Sequence, residues 1–280
     1  NNDFMIKKIF AIADIHIPNS EEKRPYSEML KQAIAEIYKA AKDLQKDEFR
    51  IIIAGDIFHN KIRISNEASD TFHMMLNYLN AIGKTYIIAG NHDMLENNLD
   101  RLDSISPTFG IKDVYPNIVY LDRELDYHSG CYVDDNVTFA LYSIFEGFKR
   151  PSDLDDTIEE YQSNKVIGLY HGDINGSITD MGRVSENGLP LSEFNGCDCV
   201  IAGHIHKHQE INKNNIPIIY CGSLLQQNSG ENIDGHGFIE LNTESLEYSQ
   251  HNVTNNYKIY HFKISSYDDI NDDNERLINR

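Results

Sequence analysis

The chain has 280 residues with 40% hydrophobic and 10% aromatic side chains, which excludes wholesale disorder and allows one α/β domain with a substantial core. Its formal net charge of −19 disfavours long-range attraction to nucleic acid, so a DNA substrate would require local basic residues, bound metal ions or a partner subunit. No stretch approaches the roughly 18 uncharged apolar residues that span a bilayer, and the charged N-terminal run does not fit a signal peptide.

The N-terminal half predicts strands that alternate with helices. Apolar runs predict strands at residues 6–13, 51–54 and 86–89. Helices are expected at about 27–44 and 66–81, because their apolar residues recur at i, i+3 and i+4 and form one face. This order of strand, helix, strand, helix and strand is typical of a largely parallel sheet.

The second half changes character. Further strands are predicted at 117–121, 137–144, 166–170, 199–202, 216–220, 237–241 and 245–251. Between 117 and 144 no helix is expected, so this part of the chain predicts antiparallel pairing or a second sheet. The Gly-rich connection 172–198 is long for a compact domain, and we expect it to overhang a functional site.

The cysteines predict a reducing, cytoplasmic compartment. They form neither a C-x-x-C pair nor a zinc-ligand spacing, and they are Cys131, Cys197, Cys199 and Cys221. Two of them fall in apolar, strand-like runs, where a reduced cysteine behaves as a small hydrophobic residue.

Metal-ligand side chains follow five of the apolar runs. The first run is followed by Asp14 and His16, and the second by Asp56 and His59. The third is followed by Asn91, His92 and Asp93, the fourth by His171, and the fifth by His204 and His206. In open α/β sheets, ligands gather outside the carboxyl ends of the strands. Residues i and i+2 of an extended chain point the same way, so we expect Asp14 and His16 to aim together, as do His204 and His206.

Seven of these side chains form the candidate ligand set. They are Asp14, His16, Asp56, Asn91, His171, His204 and His206. Seven ligands are too many for one ion with an open position, but they serve two divalent ions if Asp56 bridges. Mixed nitrogen and oxygen ligation favours manganese, iron, zinc or cobalt over magnesium. Because two adjacent ions stabilise phosphoryl displacement, the pattern predicts phosphoester hydrolysis.

The order of the motifs D-x-H, G-D, G-N-H-D, H-G and G-H-x-H resembles the calcineurin-like metallophosphoesterase superfamily over residues 6–241. The segments G-D-I-F-H (55–59), G-H-I-H (203–206) and Y-C-G-S-L-L-Q-Q-N (220–228) are similar to the nuclease subunit of SbcCD-type double-strand-break repair nuclease–ATPase complexes, particularly in tailed phages. The resemblance implies an α/β fold of the four-layer sandwich type, with two mixed sheets flanked by helices.

The resemblance also implies roles for the site residues. It assigns Asp14, His16, Asp56 and His206 to one metal ion, and Asp56, Asn91, His171 and His204 to the other. His92 would protonate the leaving oxygen, with Asp93 orienting it, and His59 would be a second catalytic histidine.

The implied activity is that of a manganese-dependent DNA exonuclease and endonuclease in repair and recombination. The implied partners are DNA, a second copy of the chain and an SbcC-type coiled-coil ATPase, with no membrane, in the cytoplasm (the host's, if a phage encodes the chain). Residues 1–254 would form the nuclease domain, and residues 255–280 would be the start of a truncated C-terminal segment that caps the domain and binds a partner. The apolar stripe of the second helix would be a homodimer surface or ordinary core; it consists of Phe72, Met75, Leu76 and Leu79.

Two alternatives stay open. The same metal centre would serve a small-molecule or cyclic-nucleotide phosphodiesterase. A non-catalytic scaffold that positions the ATPase is the other alternative, although His92 and the full ligand set argue against it.

Overall fold

Two mixed sheets form the framework of the computed structural model, which describes residues 5–111, 113–155, 164–261 and 265–266. Within these residues, the first sheet has six strands in the order β12 (Tyr248–Asn252), β11 (Gly237–Asn242), β1 (Lys8–Ile12), β2 (Phe49–Ala54), β3 (Thr85–Ile88) and β4 (Ile118–Tyr120). The described part of the second sheet has the order β5 (Gly130–Asp134), β6 (Val137–Leu141), β7 (Lys165–His171), β8 (Cys199–Gly203), β10 (Ile218–Tyr220) and β9 (Gln209–Ile211).

The central strands of both sheets are parallel. Strands β1, β2, β3 and β4 pair in parallel, and β11 joins β1 antiparallel. In the second sheet β6, β7, β8 and β10 are parallel, whereas β5 and β9 pair antiparallel at its edges. The carboxyl ends of β1, β2 and β3 therefore share one edge of the first sheet, and those of β7 and β8 share one edge of the second.

Helices α1 (Tyr26–Ala41) and α2 (Asn66–Ile82) cover the outer face of the first sheet. Helix α2 begins where the Ser65 hydroxyl accepts a hydrogen bond from the Ala68 N–H at 2.9 Å, which satisfies one unpaired amide of its first turn. It ends at Gly83, whose N–H donates to the Leu79 carbonyl. Two four-residue helices, α3 (Ser106–Phe109) and α4 (Leu121–Glu124), lie in the connections on either side of β4.

The hydrophobic core has three layers. One lies between α1, α2 and the first sheet, and the apolar stripe of α2 (Phe72, Met75, Leu76, Leu79) is buried there, which makes it ordinary core. The second lies between the two sheets, and the third covers the outer face of the second sheet beneath the 172–198 connection. The expected architecture of two mixed sheets with flanking helices is confirmed.

The prediction for residues 117–144 was partly wrong. Helix α4 follows β4 directly, and a strand at 130–134 was missed. The missed strand is buried only at its two ends and half-buried or exposed between them, so its sequence lacks a continuous apolar run. Its antiparallel pairing with β6 in a second sheet agrees with the expectation.

The C-terminal residues that the structure describes pack against the rest of the fold. The Gln226 side chain bonds both the N–H and the carbonyl of Ile259, at 2.8 and 2.9 Å, and the Arg24 guanidinium donates to the Tyr257 carbonyl at 3.1 Å. The predicted boundary at residue 254 stays a prediction, since 262–264 and 267–280 lie outside the described residues. Among the residues described, no helix is long and apolar enough to cross a membrane.

Candidate metal centre

The side chains that follow β1, β2, β3, β7 and β8 meet where the carboxyl ends of the two sheets converge. Three groups each have ligand atoms within 4.8 Å of one another: Asp14, His16 and His206; His16, Asp56 and His92; and Asp56, His171 and His204. The Asn91 amide oxygen lies 3.1 Å from Nδ1 of His204. The structure thus brings together all seven predicted ligands, with His92 beside them.

Asp56 occupies the middle of this cluster. Its Oδ2 is 3.6 Å from Nε2 of His16 and 3.3 Å from Nε2 of His171. Its other oxygen, Oδ1, accepts the backbone N–H of His92 at 2.7 Å. A carboxylate shared between two ions would need this central position.

The ligand pairs converge through left-handed turns rather than through strand alternation. Asp14 and His16 have φ of +50° and +49°, Asp56 has +54° and His204 has +98°. The expectation that extended i and i+2 side chains aim together was therefore wrong about the cause, and Ile15 between the two ligands is fully buried. Asp and His enter this region more readily than most residues, and such backbone strain concentrates at functional sites.

Gly90 permits the close approach of two ligand loops. A Cβ at this position would lie 2.2 Å from Asp56 Oδ1 and 2.8 Å from the His171 ring. The glycine that opens the G-N-H-D motif is therefore required by packing.

His206 is held from two sides by carboxylates. Its ring Nδ1–H donates to Oε1 of Glu231 at 2.8 Å, and its backbone N–H donates to Oδ1 of Asp180 at 2.9 Å. With Nδ1–H bonded to Glu231, Nε2 is the ring atom left for a metal ion, and it lies 3.0 Å from Nε2 of His16. Asp180 belongs to the 172–198 connection, which therefore reaches the site as expected.

His171 is fixed in the complementary way. Its Nδ1–H donates to the Ala54 carbonyl at 2.7 Å, which leaves Nε2 directed at the Asp56 carboxylate, 3.3 Å from Oδ2. Burial lowers the pKa of His171, but Asp56 and Asp14 outweigh burial and raise it to about 10. Burial acts in the opposite direction on a carboxyl group, and it raises the pKa of Asp14 to about 7. Burial has the opposite net effect at His16, where it lowers the pKa to about 3, so the site differs in charge preference from one histidine to the next.

His92 is oriented by the His59 backbone and not by Asp93. The ring Nδ1–H of His92 donates to the His59 carbonyl at 2.6 Å. The Asp93 carboxylate instead accepts the N–H groups of Ile57, Phe58 and Gly90 at 2.9–3.1 Å. Asp93 therefore joins the loop after β2 to the loop after β3, and the expected contact between Asp93 and His92 is corrected.

Both predicted catalytic histidines lie against the ligand cluster. The rings of His92 and His59 have centroids 4.7 and 5.8 Å from that of His16. Burial lowers the pKa of His59, and the neighbouring His92 acts in the same direction. The structure therefore places His59 at the site, while its catalytic role stays a prediction.

Comparison with known proteins identifies the family. Residues 7–208 match the calcineurin-like phosphoesterase family, a span that includes all seven candidate ligands. The chain belongs to this family. It is a hydrolase family that uses divalent metal ions, so the family and the fold expected from the motifs are confirmed.

The phosphoesterase is similar to two viral proteins. It is 33% identical over 261 residues to protein R555 of Acanthamoeba polyphaga mimivirus, covering 90% of this chain and 18% of the relative. It is 27% identical over 205 residues to a protein of Invertebrate iridescent virus 6 named "Putative phosphoesterase 244L", covering 71% of this chain and 66% of the relative. The chain thus spans less than two thirds of either relative's length. Among solved structures, GAP50, described as the anchor in the inner membrane complex of Plasmodium, shares 13% identity with a TM-score of 0.49, covering 89% of each chain.

The donor set of the phosphoesterase fits divalent cations. Nε2 of His16 and Nε2 of His206 lie 3.0 Å apart, and Nε2 of His171 lies 3.3 Å from Oδ2 of Asp56. Such arrangements are repulsive unless a proton or cation lies between the donors. Moreover, Nε2 of His171 is buried without a hydrogen-bond partner among the described residues. Four imidazoles with carboxylate and amide oxygens suit a transition metal.

Sequence reasoning missed the carboxylates that support the ligands. Glu231 and Asp180 hold His206, and Asp173 lies 3.9 Å from Nε2 of His204. Asp173 comes directly after the H-G motif at the end of β7, whereas Asp180 lies further along the 172–198 loop and Glu231 in the loop after β10. The signal nearest to Glu231 was the Y-C-G-S-L-L-Q-Q-N segment, which ends three residues before it.

Proposed function

We propose that this phosphoesterase is a two-metal DNA nuclease, with both exonuclease and endonuclease activity. The observation that supports a diester substrate is that candidate ligands line two separate cavities. A cavity of about 390 Å³ is lined by Asn91, His171 and His204, and one of about 610 Å³ is lined by His206 and its neighbours. A phosphodiester carries a substituent on each side of phosphorus, so it would use both cavities.

The ligand assignment follows the geometry around Asp56. Asp14, His16 and His206 would hold one ion with Asp56, and Asn91, His171 and His204 the other. The mixed nitrogen and oxygen set disfavours magnesium, and the choice of manganese among the remaining metals follows the resemblance to the nuclease subunit. When bound, the two ions would lower the pKa of water and offset charge on the phosphate.

The chain's own residues would supply the proton. With Nδ1–H of His92 committed to the His59 carbonyl, only Nε2 of His92 remains to exchange a proton with the substrate. Protonated at Nε2, His92 would act as the general acid for the leaving oxygen. His59 lies near enough to assist in binding the phosphate.

The choice of DNA, and of an SbcC-type ATPase and a second copy as partners, follows the resemblance of three segments. Two of the segments contain candidate ligands, and the third contacts the site, since Nε2 of Gln227 donates to the Ile15 carbonyl at 3.3 Å and to the Tyr26 hydroxyl at 3.0 Å. The Y-C-G-S-L-L-Q-Q-N segment therefore supports the turn between two candidate ligands, Asp14 and His16. Its likeness to the nuclease subunit thus concerns the working part of the molecule.

The deciding experiment compares manganese-dependent turnover of linear duplex DNA and of bis(p-nitrophenyl) phosphate. We expect both to be cleaved, and both activities to be lost in Asp56→Ala and strongly reduced in His92→Gln. His128→Gln is the matched control, since this histidine pairs with Glu146 on the surface and its side chain is 66% exposed. Undiminished DNA cleavage by Asp56→Ala would show that the assignment of the centre is wrong.

A small-molecule or cyclic-nucleotide phosphodiesterase is the second candidate. It is favoured by the acidic rim of the site, where the Glu96 and Asp173 side chains are 58% and 42% exposed and Asp180 is exposed. These charges would repel the further phosphates of a long DNA strand. Turnover of the small ester without cleavage of DNA would favour this candidate over the nuclease.

A further inference from the structure

The cavity beside His204 is lined in part by residues that are not candidate metal ligands. Its walls include the rings of Phe148 and Tyr170, the side chain of Asn187 and the segment from Gly188 to Pro190. At about 390 Å³ it is larger than a phosphate group needs, and it opens directly onto candidate ligands. The group bound there would be attached to the phosphate under attack.

Phe148 is held at this cavity in an unusual backbone conformation. Its φ is +61°, directly after Gly147 at +64°. The conformation is fixed by the Phe148 N–H, which donates to the Ser143 carbonyl at 2.8 Å, while the buried Ser143 hydroxyl donates to Asp122 at 2.6 Å. A bulky residue rarely adopts positive φ, and such outliers concentrate at functional sites. The buried network below the turn therefore maintains the position of the Phe148 ring.

The chemistry of the cavity favours a flat, neutral, hydrogen-bonding group. The Phe148 ring is only partly buried, and it meets the Tyr170 ring edge-on with centroids 5.0 Å apart. The Asn187 amide has no hydrogen-bond partner among the described residues, and the Asp173 carboxylate is 42% exposed. Carboxylates disfavour a further phosphate here, whereas a nucleobase offers both a π-face for stacking and N–H donors.

We propose that this cavity, which we call the Phe148 pocket, binds the nucleobase of the nucleotide on one side of the scissile phosphate. The proposal rests on the proposed phosphodiesterase function and adds a specificity element to it. The Phe148 ring supplies the stacking surface, and the side chains of Asn187 and Asp173 contact the edge of the base. The close approach of Gly188 to Asp173, where a Cβ would lie 2.6 Å from the Asp173 carbonyl, holds the pocket wall together.

The test compares two substrates that share a leaving group. These are the p-nitrophenyl ester of thymidine 5′-phosphate, which carries a base, and methyl p-nitrophenyl phosphate, which does not. We expect Phe148→Ala to lower the ratio of the two kcat/KM values about tenfold, since base stacking on an aromatic ring contributes on that scale. Phe148→Tyr should preserve the ratio and Phe148→Leu should lower it, because only the first retains the ring.

Phe145→Ala is the matched control. Phe145 lies in the same turn but packs on Tyr127, with centroids 5.1 Å apart, so its loss should leave the ratio unchanged. If Phe148→Leu kept the wild-type ratio, the ring would serve packing alone and the proposal would be overturned. The same conclusion would follow if Phe145→Ala lowered the ratio as much as Phe148→Ala.

A second readout is independent of turnover. Saturation transfer from the protein to the base protons of adenosine 5′-monophosphate, measured by NMR with manganese replaced by diamagnetic zinc, should be strong in the wild type and lost in Phe148→Leu. Equal transfer in both proteins would overturn the pocket assignment. If DNA is not cleaved but the ratio and the transfer respond as expected, the nuclease proposal fails while the pocket stands.

Discussion

Replacement of Glu231 by glutamine should weaken one metal site and spare the other. Glu231 accepts the Nδ1–H of His206 at 2.8 Å, and the side chains are 10% and 19% exposed, so water screens the pair weakly. Carboxylates in this position orient a metal-binding imidazole and raise its basicity, and their loss typically costs 10- to 100-fold in metal affinity, or about 1.4–2.7 kcal/mol. We expect a loss in this range at the site that contains His206.

The assay is calorimetric titration with manganese at fixed pH and ionic strength. The site formed by Asn91, His171 and His204 should keep its dissociation constant, because none of these residues contacts Glu231. Glu244→Gln, in the exposed turn between β11 and β12, is the matched control and should change neither site.

The titration of His206 without metal provides an independent check. Burial lowers the pKa of His206, but the hydrogen bond to Glu231 and the charges of Asp14, Glu231 and Asp180 outweigh burial and raise it to about 9. Removal of the Glu231 charge must therefore lower this pKa, which NMR titration would detect. Wild-type metal affinity together with an unchanged His206 titration would refute the supporting role of Glu231.

The structure makes four further predictions. Asp134→Ala should lower the free energy of unfolding by about 3–5 kcal/mol in urea titrations, because it leaves the Arg50 guanidinium buried between the sheets without its carboxylate at 2.6 Å. Burial raises the pKa of Asp134 but Arg50 and Tyr86 lower it below the usual value, so this contribution should persist above about pH 4 and be lost at lower pH. Gly90→Ala should displace Asp56 and abolish tight manganese binding in calorimetry, whereas Gly110→Ala, with its nearest atom 3.3 Å away, should bind normally. Burial raises the pKa of the cysteine thiols, to about 12 at Cys131, so a chromogenic thiol reagent at pH 8 should react rapidly only after denaturation. The metal-free chain should bind duplex DNA more weakly than about micromolar at physiological salt because of its net charge of −19, and submicromolar binding in a fluorescence anisotropy titration would contradict this.

The sequence predicted the first sheet well because its segments are strongly patterned. Helix α1 was expected at 27–44 and lies at Tyr26–Ala41, and α2 was expected at 66–81 and lies at Asn66–Ile82. Strands buried on both faces, such as β2, give continuous apolar runs that local pattern alone identifies. The ligands could be located because each follows such a run.

The missed features depend on contacts between distant parts of the chain. Strand β9 has half-buried residues throughout and pairs only with β10, so its sequence carries little strand pattern. Glu231 reaches His206 across 25 residues, and its carboxylate resembles any other surface acid in the sequence. Phe148 is likewise ordinary in sequence, since its positive φ results from the Ser143 turn beneath it. Tertiary structure, and not local propensity, creates these three features.

The left-handed turns explain why the spacing of the motifs identifies the donors without giving their geometry. Positive φ at a residue other than glycine costs on the order of 1–3 kcal/mol, and the structure offsets it by bonding each ligand loop to another. The N–H groups of Asp14 and His16 donate to the carbonyls of Gly55 and Asp56, and the N–H of His204 donates to the Asp14 carboxylate at 3.0 Å. The loops after β1, β2 and β8 are therefore joined by the protein itself. It follows that the donor arrangement is built into the fold, and that a bound ion would stabilise an arrangement already formed.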